Sequence, residues 1–231
     1  MKVGVVIIKV AILSTGEEII EGDILNTTSR EISRELYNMG FEISSHINVG
    51  DKRYDIITYL NILSRNNDII FITGGLGSTR DDLTRESVAE FLKEDLIFDE
   101  HLFNKIIYRY KKYGKSSSEL LKKQAFVFKD SIILENEIGS APGIYIIRDM
   151  KHYFLLPGPP DEAISIFLKH IKPILSNFDT QKIKVKKIQF YNITESKLMA
   201  ELNERLSNIK YSTKLELSIG PSIIFKDDFN G

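Results

Sequence analysis

Three short apolar runs, each giving way to a helical pattern, narrow the possible folds more than anything else in this chain. Val10–Leu13 reads as a first strand, followed by a helix over Asn26–Met39 in which Ile32, Leu36 and Met39 share one face and Gly40 ends the run. Phe41–Val49 reads as a second strand, closed by Gly50-Asp51, and Tyr54–Ser64 as a helix with Ile56, Ile57, Leu60 and Leu63 on one side. Asp68–Thr73 is the third strand, with helices over Leu83–Leu92 and Asp99–Tyr113. Strands that alternate with helices cannot pair as hairpins. They pair in parallel, with crossover helices covering both faces, so the fold class is α/β.

Further strands are predicted at Ser131–Leu134, Ile144–Ile147 and Tyr153–Leu156, the last two forming a hairpin across Arg148-Asp149-Met150-Lys151. Pro157-Gly158-Pro159-Pro160 breaks the chain before an amphipathic helix over Asp161–Leu175, and Asn177–Thr180 reads as a linker. Beyond it the pattern changes. Lys182–Tyr191 is an alternating strand, Thr194–Ser207 a helix capped by Thr194, and Leu215–Ile219 and Ser222–Phe225 are short strands. We expect an α/β domain over 1–176 and a small α+β domain over 181–231, too small to be comfortable alone. Ser14–Glu18 reads as a loop and Lys115–Ser118 as a polar hinge or plain helix cap.

Composition removes several function classes. With no cysteine there is no disulfide, thiolate nucleophile or cysteine-bound zinc, and nothing marks an oxidising compartment, so a cytoplasmic location is expected. A net charge of −1 provides no global attraction to nucleic acid or acidic membrane, and neither is expected as a partner. Lys9 interrupts the apolar N-terminus and no small-residue cleavage site follows, so a buried first strand is expected rather than a signal peptide. His46, His101, His152 and His170 share no ligand spacing. There is no His-Glu-x-x-His, no Gly-x-Ser-x-Gly and no lysine after the glycines as in a Walker loop.

The chemistry-bearing stretch is Thr73-Gly74-Gly75-Leu76-Gly77-Ser78-Thr79-Arg80-Asp81-Asp82-Leu83-Thr84. It leaves the carboxyl end of a parallel strand and runs into a helix for which Thr84 is the expected cap, the place where open α/β sheets bind phosphates. Glycines let a ligand approach the backbone, and the amides of Gly75, Gly77, Ser78 and Thr79 are candidate phosphate donors. Asp81 and Asp82 beside them are candidate ligands for a hard divalent ion. A plain turn, with an aspartate favouring the helix dipole, is the competing explanation.

Other loops fall on the same rim. Gly16, Glu18, Asp23 and Asn26 follow the first strand; Asp23 and Asn26 suit capping as well as positioning a metal, a ribose hydroxyl or a water. Gly139-Ser140-Ala141-Pro142-Gly143 and Pro157-Gly158 add two more small-residue loops. Lys122-Lys123 reads first as a solvated helix face, with Lys123 or Gln124 a lesser candidate for a phosphate contact.

These blocks, in order from about Lys9 to Leu206, resemble the N-terminal, molybdopterin-binding-like domain of the CinA (competence/damage-inducible protein) family. Gly16–Gly22 is similar to that family's Gly-Thr-Glu-Leu-Leu-x-Gly, Asn26–Ser29 to its Asn-Thr-Asn block, Val49-Gly50-Asp51 to its Val-Gly-Asp, and Gly74–Thr84 to its Gly-Gly-Leu-Gly-Pro-Thr-x-Asp-Asp-x-Thr. Gly139–Gly143, Leu156–Pro159 and Thr194–Leu198 resemble later blocks. Ser78, Thr28 and Ser140 depart from the family's proline, asparagine and threonine.

The resemblance implies a three-layer α/β/α, mostly parallel domain shared with MogA- and MoaB-like molybdenum cofactor proteins, and it favours Asp82 over Asp81. It implies ADP-ribose pyrophosphatase activity with a divalent metal (Mg²⁺, Mn²⁺ or Co²⁺), with potassium as a candidate assistant. The family's nicotinamide-nucleotide deamidase domain does not fit in 231 residues, so that activity is not expected. Two alternatives use the same pocket: a pterin-binding or adenylyl-transferring protein of molybdenum cofactor assembly, and a non-catalytic nucleotide- or pterin-binding protein. A homo-oligomer is expected. Asp227–Gly231 resembles nothing we recognise.

Overall fold

The computed structural model describes residues 8–112, 119–180, 184–207, 211–216 and 219–227. The chain divides into two compact units, the first over Met1–Tyr37 and Phe41–Thr180, the second over Asn38–Gly40 and Gln181–Gly231. The hinge expected at Lys115–Ser118 and the end of the tail at 228–231 lie outside the described residues.

The first unit opens with strand β1 (Lys9–Thr15), the one-turn helix α1 (Glu17–Ile20), helix α2 (Thr27–Asn38), β2 (Glu42–Val49), α3 (Arg53–Asn66), β3 (Ile69–Thr73) and α4 (Thr84–Leu92). There follow β4 (Leu96–Phe98), α5 (Glu100–Lys112), a 3₁₀ segment (Glu119–Ala125), β5 (Phe126–Phe128), β6 (Ile132–Leu134), β7 (Gly143–Arg148) and β8 (Lys151–Leu156). A long helix closes the unit, made of α6 (Pro160–Ile166), a π-helical stretch (Phe167–Ile171) and α7 (Lys172–Leu175).

The central sheet has the order β2-β1-β3-β8-β7-β6. Its first four strands run parallel, and β7 and β6 are antiparallel additions. The mostly parallel sheet expected from the alternation is present. All of β3 is buried, and Val10–Leu13 of β1 are 0% exposed. Strands wetted on neither face must lie between two layers of helices. Leu13, Ile70 and Ile72 cluster with Ile56 and Leu60 of α3 and Val88 of α4 on one side. On the other, Phe71 stacks on Phe154 at 4.9 Å and meets Phe167 of the long helix at 5.9 Å.

The hairpin between β7 and β8 forms at the expected place. Asp149 and Met150 both take positive φ, 50° and 59°, the backbone of a turn that matches strand twist. The loop expected over Ser14–Glu18 instead contains α1, because Gly16 O accepts from Ile19 N at 3.2 Å and Ile20 N at 3.4 Å. β4 and β5 pair antiparallel in a small ribbon that three-residue strands give too little period to reveal.

The second unit comprises β9 (Lys184–Gln189), α8 (Glu195–Leu206), β10 (Tyr211–Glu216) and β11 (Gly220–Asp227), with an antiparallel sheet ordered β10-β11-β9. β10 begins earlier than the strand expected from Leu215. Thr194 caps α8 by accepting from Lys197 N at 3.3 Å, and Leu198, Leu206 and Ile223 form the core. Among the described residues no helix is long and apolar enough to cross a membrane.

Candidate functional site: a cleft at the carboxyl rim of the sheet

Register places the candidate loops together. Thr15 pairs with Val49, Ser14 with Thr73, and Thr73 with Leu156, so the parallel strands end on one rim. β7 runs the other way, so the loop before it reaches the same rim. A cleft of about 440 Å³ opens there. Gly16 and Glu18 line it from the first loop, Asp51 from the second, and Gly74–Gly77 with Asp81 and Asp82 from the third. Ser140, Pro157, Gly158 and the start of α2, Asn26–Thr28, complete the wall.

The glycine loop is fixed from behind. Gly74 N donates to Leu156 O at 3.0 Å, stitching the loop to β8. Gly74 and Gly75 have φ of 95° and 62°, and a Cβ on them would strike the Thr15 carbonyl and the Thr84 hydroxyl respectively. Only glycine meets both demands. Thr84 does not cap α4 as expected; Leu83 occupies that position, without a side-chain cap. The buried Thr84 hydroxyl instead donates to Gly74 O at 2.8 Å and sits 3.3 Å from the Thr15 hydroxyl.

The phosphate cradle needs a second correction. The amides of Gly77 and Thr79 both donate to Asp82, at 2.8 Å each, and the Thr79 hydroxyl does so at 2.5 Å. Asp82 is therefore the loop's own anion, and those two amides are not open to a phosphate. Ser78 and Thr79 do not line the cleft. Of the Gly74–Gly77 amides, which line the cleft, those of Gly75 and Leu76 have no acceptor among the described residues.

Sequence reasoning missed Arg85. Its side chain is 1% exposed; Nη1 and Nη2 donate to Leu76 O at 2.9 and 2.7 Å, and Nη2 to Gly77 O at 2.9 Å. Carbonyls held backwards turn the N–H of the same planar peptides the opposite way, which for Gly77 is toward Asp82. Burial pulls the guanidinium down to about 10, opposed by the charges of Glu86 and Asp82. Lys123 braces the loop from outside, donating to Thr79 O at 2.8 Å beside Glu86 at 3.5 Å, so it is not placed as a phosphate ligand. Gln124 is 3% exposed, lines the cleft, and leaves Oε1 unpartnered.

Asp51 was also missed as a site residue, although Gly50-Asp51 ends a parallel strand and so had to reach this rim. Its Oδ2 accepts from Glu17 N at 3.1 Å. Burial pushes its carboxyl up, and the charges of Glu18, Asp81 and Glu17 add to this against the opposing Glu17 amide bond. Asp81 is exposed and held low by the nearby Thr79 hydroxyl, its own amide and Lys123, although the short bond from that hydroxyl goes to Asp82. Asp23 is exposed on the turn after α1 and does not line the cleft.

Asn26 does act as a cap, accepting from Ser29 N at 3.1 Å while its Nδ2 donates to Asn48 at 2.8 Å. Thr28 donates to Gly158 O at 2.8 Å and ties the proline loop to α2. The Gly139–Ser140 loop is built by a third missed residue, Asn136, which is 1% exposed. Its Oδ1 accepts from Gly139 N at 2.8 Å, and its Nδ2 donates to Ala141 O at 2.8 Å and to Glu162 at 2.6 Å. Gly139 itself does not line the cleft, whereas Ser140 and Glu162 do.

Among the described residues no three acidic or histidine side chains converge as a ready-made metal cage. Magnesium-like ions do not require one: they keep most of their waters and bind through one or two carboxylates plus substrate phosphates. Asp82 spends part of its lone-pair capacity on three donors and retains the rest. Asp51, pushed up chiefly by burial and further by the charges of Glu18, Asp81 and Glu17, shares the cleft with Asp81 and Asp82, and a cation among these carboxylates would relieve their repulsion. The donor set therefore fits a hard divalent ion.

Fold and rim together define an open α/β domain whose cleft is lined by backbone amides and flanked by carboxylates. Residues 11–177 match the family described as "Probable molybdopterin binding domain", and the chain belongs to that family. A CinA-like protein of Petrotoga mobilis is 41% identical over 227 residues, covering 96% of this chain and 56% of that protein. The structure of CinA, of unknown function, from Thermoplasma acidophilum superposes with a TM-score of 0.67 at 28% identity, covering 73% of this chain and 98% of that one. The chain spans about half the length of the curated relatives it matches.

Proposed function

We propose that the first unit is a metal-dependent nucleotide pyrophosphatase of the CinA type, hydrolysing ADP-ribose or a related dinucleotide. One observation carries this reading: the acceptor-free amides of Gly75 and Leu76 line the same cleft as Asp51, Asp81 and Asp82. Amides suit the phosphate oxygens, and a phosphate seated beside these carboxylates would need a cation or a proton between them.

Gly75 N–H and Leu76 N–H then hold the pyrophosphate, and the start of α2 faces it with its positive end. Asp82, locked by Gly77 and Thr79, and Asp81 would hold the divalent ion. When bound, that ion supplies charge neutralisation and a more acidic water. Asp51 has one oxygen engaged by Glu17 N and its other oxygen free of protein donors among the described residues, and in this reading it would take a proton from the attacking water. The water oxygen bonds to one phosphorus, the bond from that phosphorus to the bridging oxygen breaks, and AMP and ribose 5-phosphate leave.

The family's description favours a second reading, in which the same cleft takes a pterin phosphate; as an enzyme, such a protein would transfer AMP rather than release it. Incubation with ADP-ribose and Mg²⁺, Mn²⁺ or Co²⁺, followed by chromatography for AMP, separates the two. AMP release supports hydrolysis; pterin-dependent transfer of AMP from ATP supports the second reading. Tight nucleotide or pterin binding without turnover leaves a binding protein.

A further inference from the structure

A second, smaller cavity, of about 230 Å³, lies on the other side of the Ser140 loop. Leu102 and Ile106 of α5, Ile133 and Pro142 give it apolar walls, and Lys105, Arg109 and His170 line it too. Residues 102, 105, 106 and 109 fall on one face of α5, so the cations and the apolar surface are presented together. Among the described residues Glu135 is the only acid in the lining, and it is already paired with Arg109 at 3.0 Å. Lys105 is exposed and makes no ion pair among the described residues. His170 Nε2 is buried without a hydrogen-bond partner among the described residues, so a polar atom of a ligand would satisfy it.

We infer that this cavity is a separate binding site for a small organic anion, one carboxylate on a compact apolar body. The charge balance of the lining calls for an anion, the walls for a hydrocarbon surface, and the imidazole for a polar atom. At about seven or eight waters' worth of space, the cavity is too small for a dinucleotide. Its occupancy is felt in the main cleft. Arg109 also donates to Gly139 O at 3.3 Å, and Ser140, whose hydroxyl donates to Tyr110 at 3.3 Å, lines both cavities. A carboxylate drawing on Arg109 competes for the group that holds this shared wall. The inference does not depend on which ligand the main cleft takes.

The test is a two-dimensional amide NMR titration of the full chain with sodium benzoate and, separately, with neutral benzyl alcohol. Benzoate is expected to give saturable shifts centred on Ile106, Gly139, Ser140 and His170, and to bind about tenfold more tightly than benzyl alcohol, the worth of one charge-assisted contact. Lys105→Ala, at an exposed position, is expected to weaken benzoate about fivefold with the rest of the spectrum intact. Absence of saturation, equal affinity for the two probes, shifts centred on Gly74–Asp82, or an unaffected Lys105→Ala protein would each overturn the assignment.

Discussion

Replacing Asp82 with asparagine tests the loop and the chemistry together. The carboxylate accepts from Gly77 N, Thr79 N and Thr79 Oγ1. Asparagine has one acceptor oxygen. With that oxygen toward Thr79 the amide group faces Gly77 N–H, donor against donor; turned over, both Thr79 bonds go. The better orientation loses one charge-assisted bond, and because Asp82 is partly exposed the loss is about 2 kcal/mol. Against a typical domain stability of about 5–15 kcal/mol the fold survives. For a domain of this size, Tm is expected to fall by about 4–8 °C. AMP release from ADP-ribose is expected to fall by about a hundredfold or more, roughly 2.7 kcal/mol of barrier, if the carboxylate holds the cation. Urea unfolding and AMP chromatography on the same preparation read both. Full turnover would refute the role of Asp82 in catalysis, and unchanged stability, within about 0.5 kcal/mol, would refute its role in the loop.

Other substitutions separate the remaining parts. Asp51→Asn should be more stable than the native chain at neutral pH: burial and like charges raise the Asp51 pKa in the folded state, so its contribution favours folding at low pH and is lost as pH rises through that raised value. The two proteins should converge below the ordinary value of 3.8, and the acid limb of the turnover profile should disappear with Asp51; parallel urea titrations across pH check the sign. Thr84→Val keeps the shape but strips Gly74 O of its donor, and should cost about 1–3 kcal/mol in urea unfolding. Gly75→Ala meets both a left-handed φ and the Thr84 hydroxyl, and should cost about 2–3 kcal/mol and abolish calorimetric binding of inorganic pyrophosphate.

Much of the fold was legible because parallel strands buried on both faces leave an unmistakable mark. Val10–Leu13 and Ile69–Ile72 are continuous apolar runs that no amphipathic helix would have, and the βα order then fixes which ends share a rim. The site was legible only as far as it is local. Gly74, Gly75 and Asn26 do what their types suggest at strand ends and caps. Thr84 obeys a longer-range demand, the carbonyl of Gly74, which outweighs its local preference for capping. Asp82 looks like a free ligand in sequence, yet the amides three and five residues before it fold onto it. Arg85 and Asn136 were hidden for the same reason: a charged residue in a helix and an asparagine in a loop are ordinary until the fold buries them with backbone partners.

Whether the free amides of Gly75 and Leu76 receive the phosphates of a nucleotide, with Asp82 facing a cation beside them, decides the proposed chemistry. The decisive experiment is a crystal structure of the chain with a non-hydrolysable ADP-ribose analogue and Mg²⁺. Pyrophosphate oxygens about 3 Å from Gly75 N and Leu76 N, with the ion against Asp82, are the expected outcome. An analogue bound with its phosphates away from the Gly74–Gly77 turn, or with the ion remote from Asp82, would rule it out.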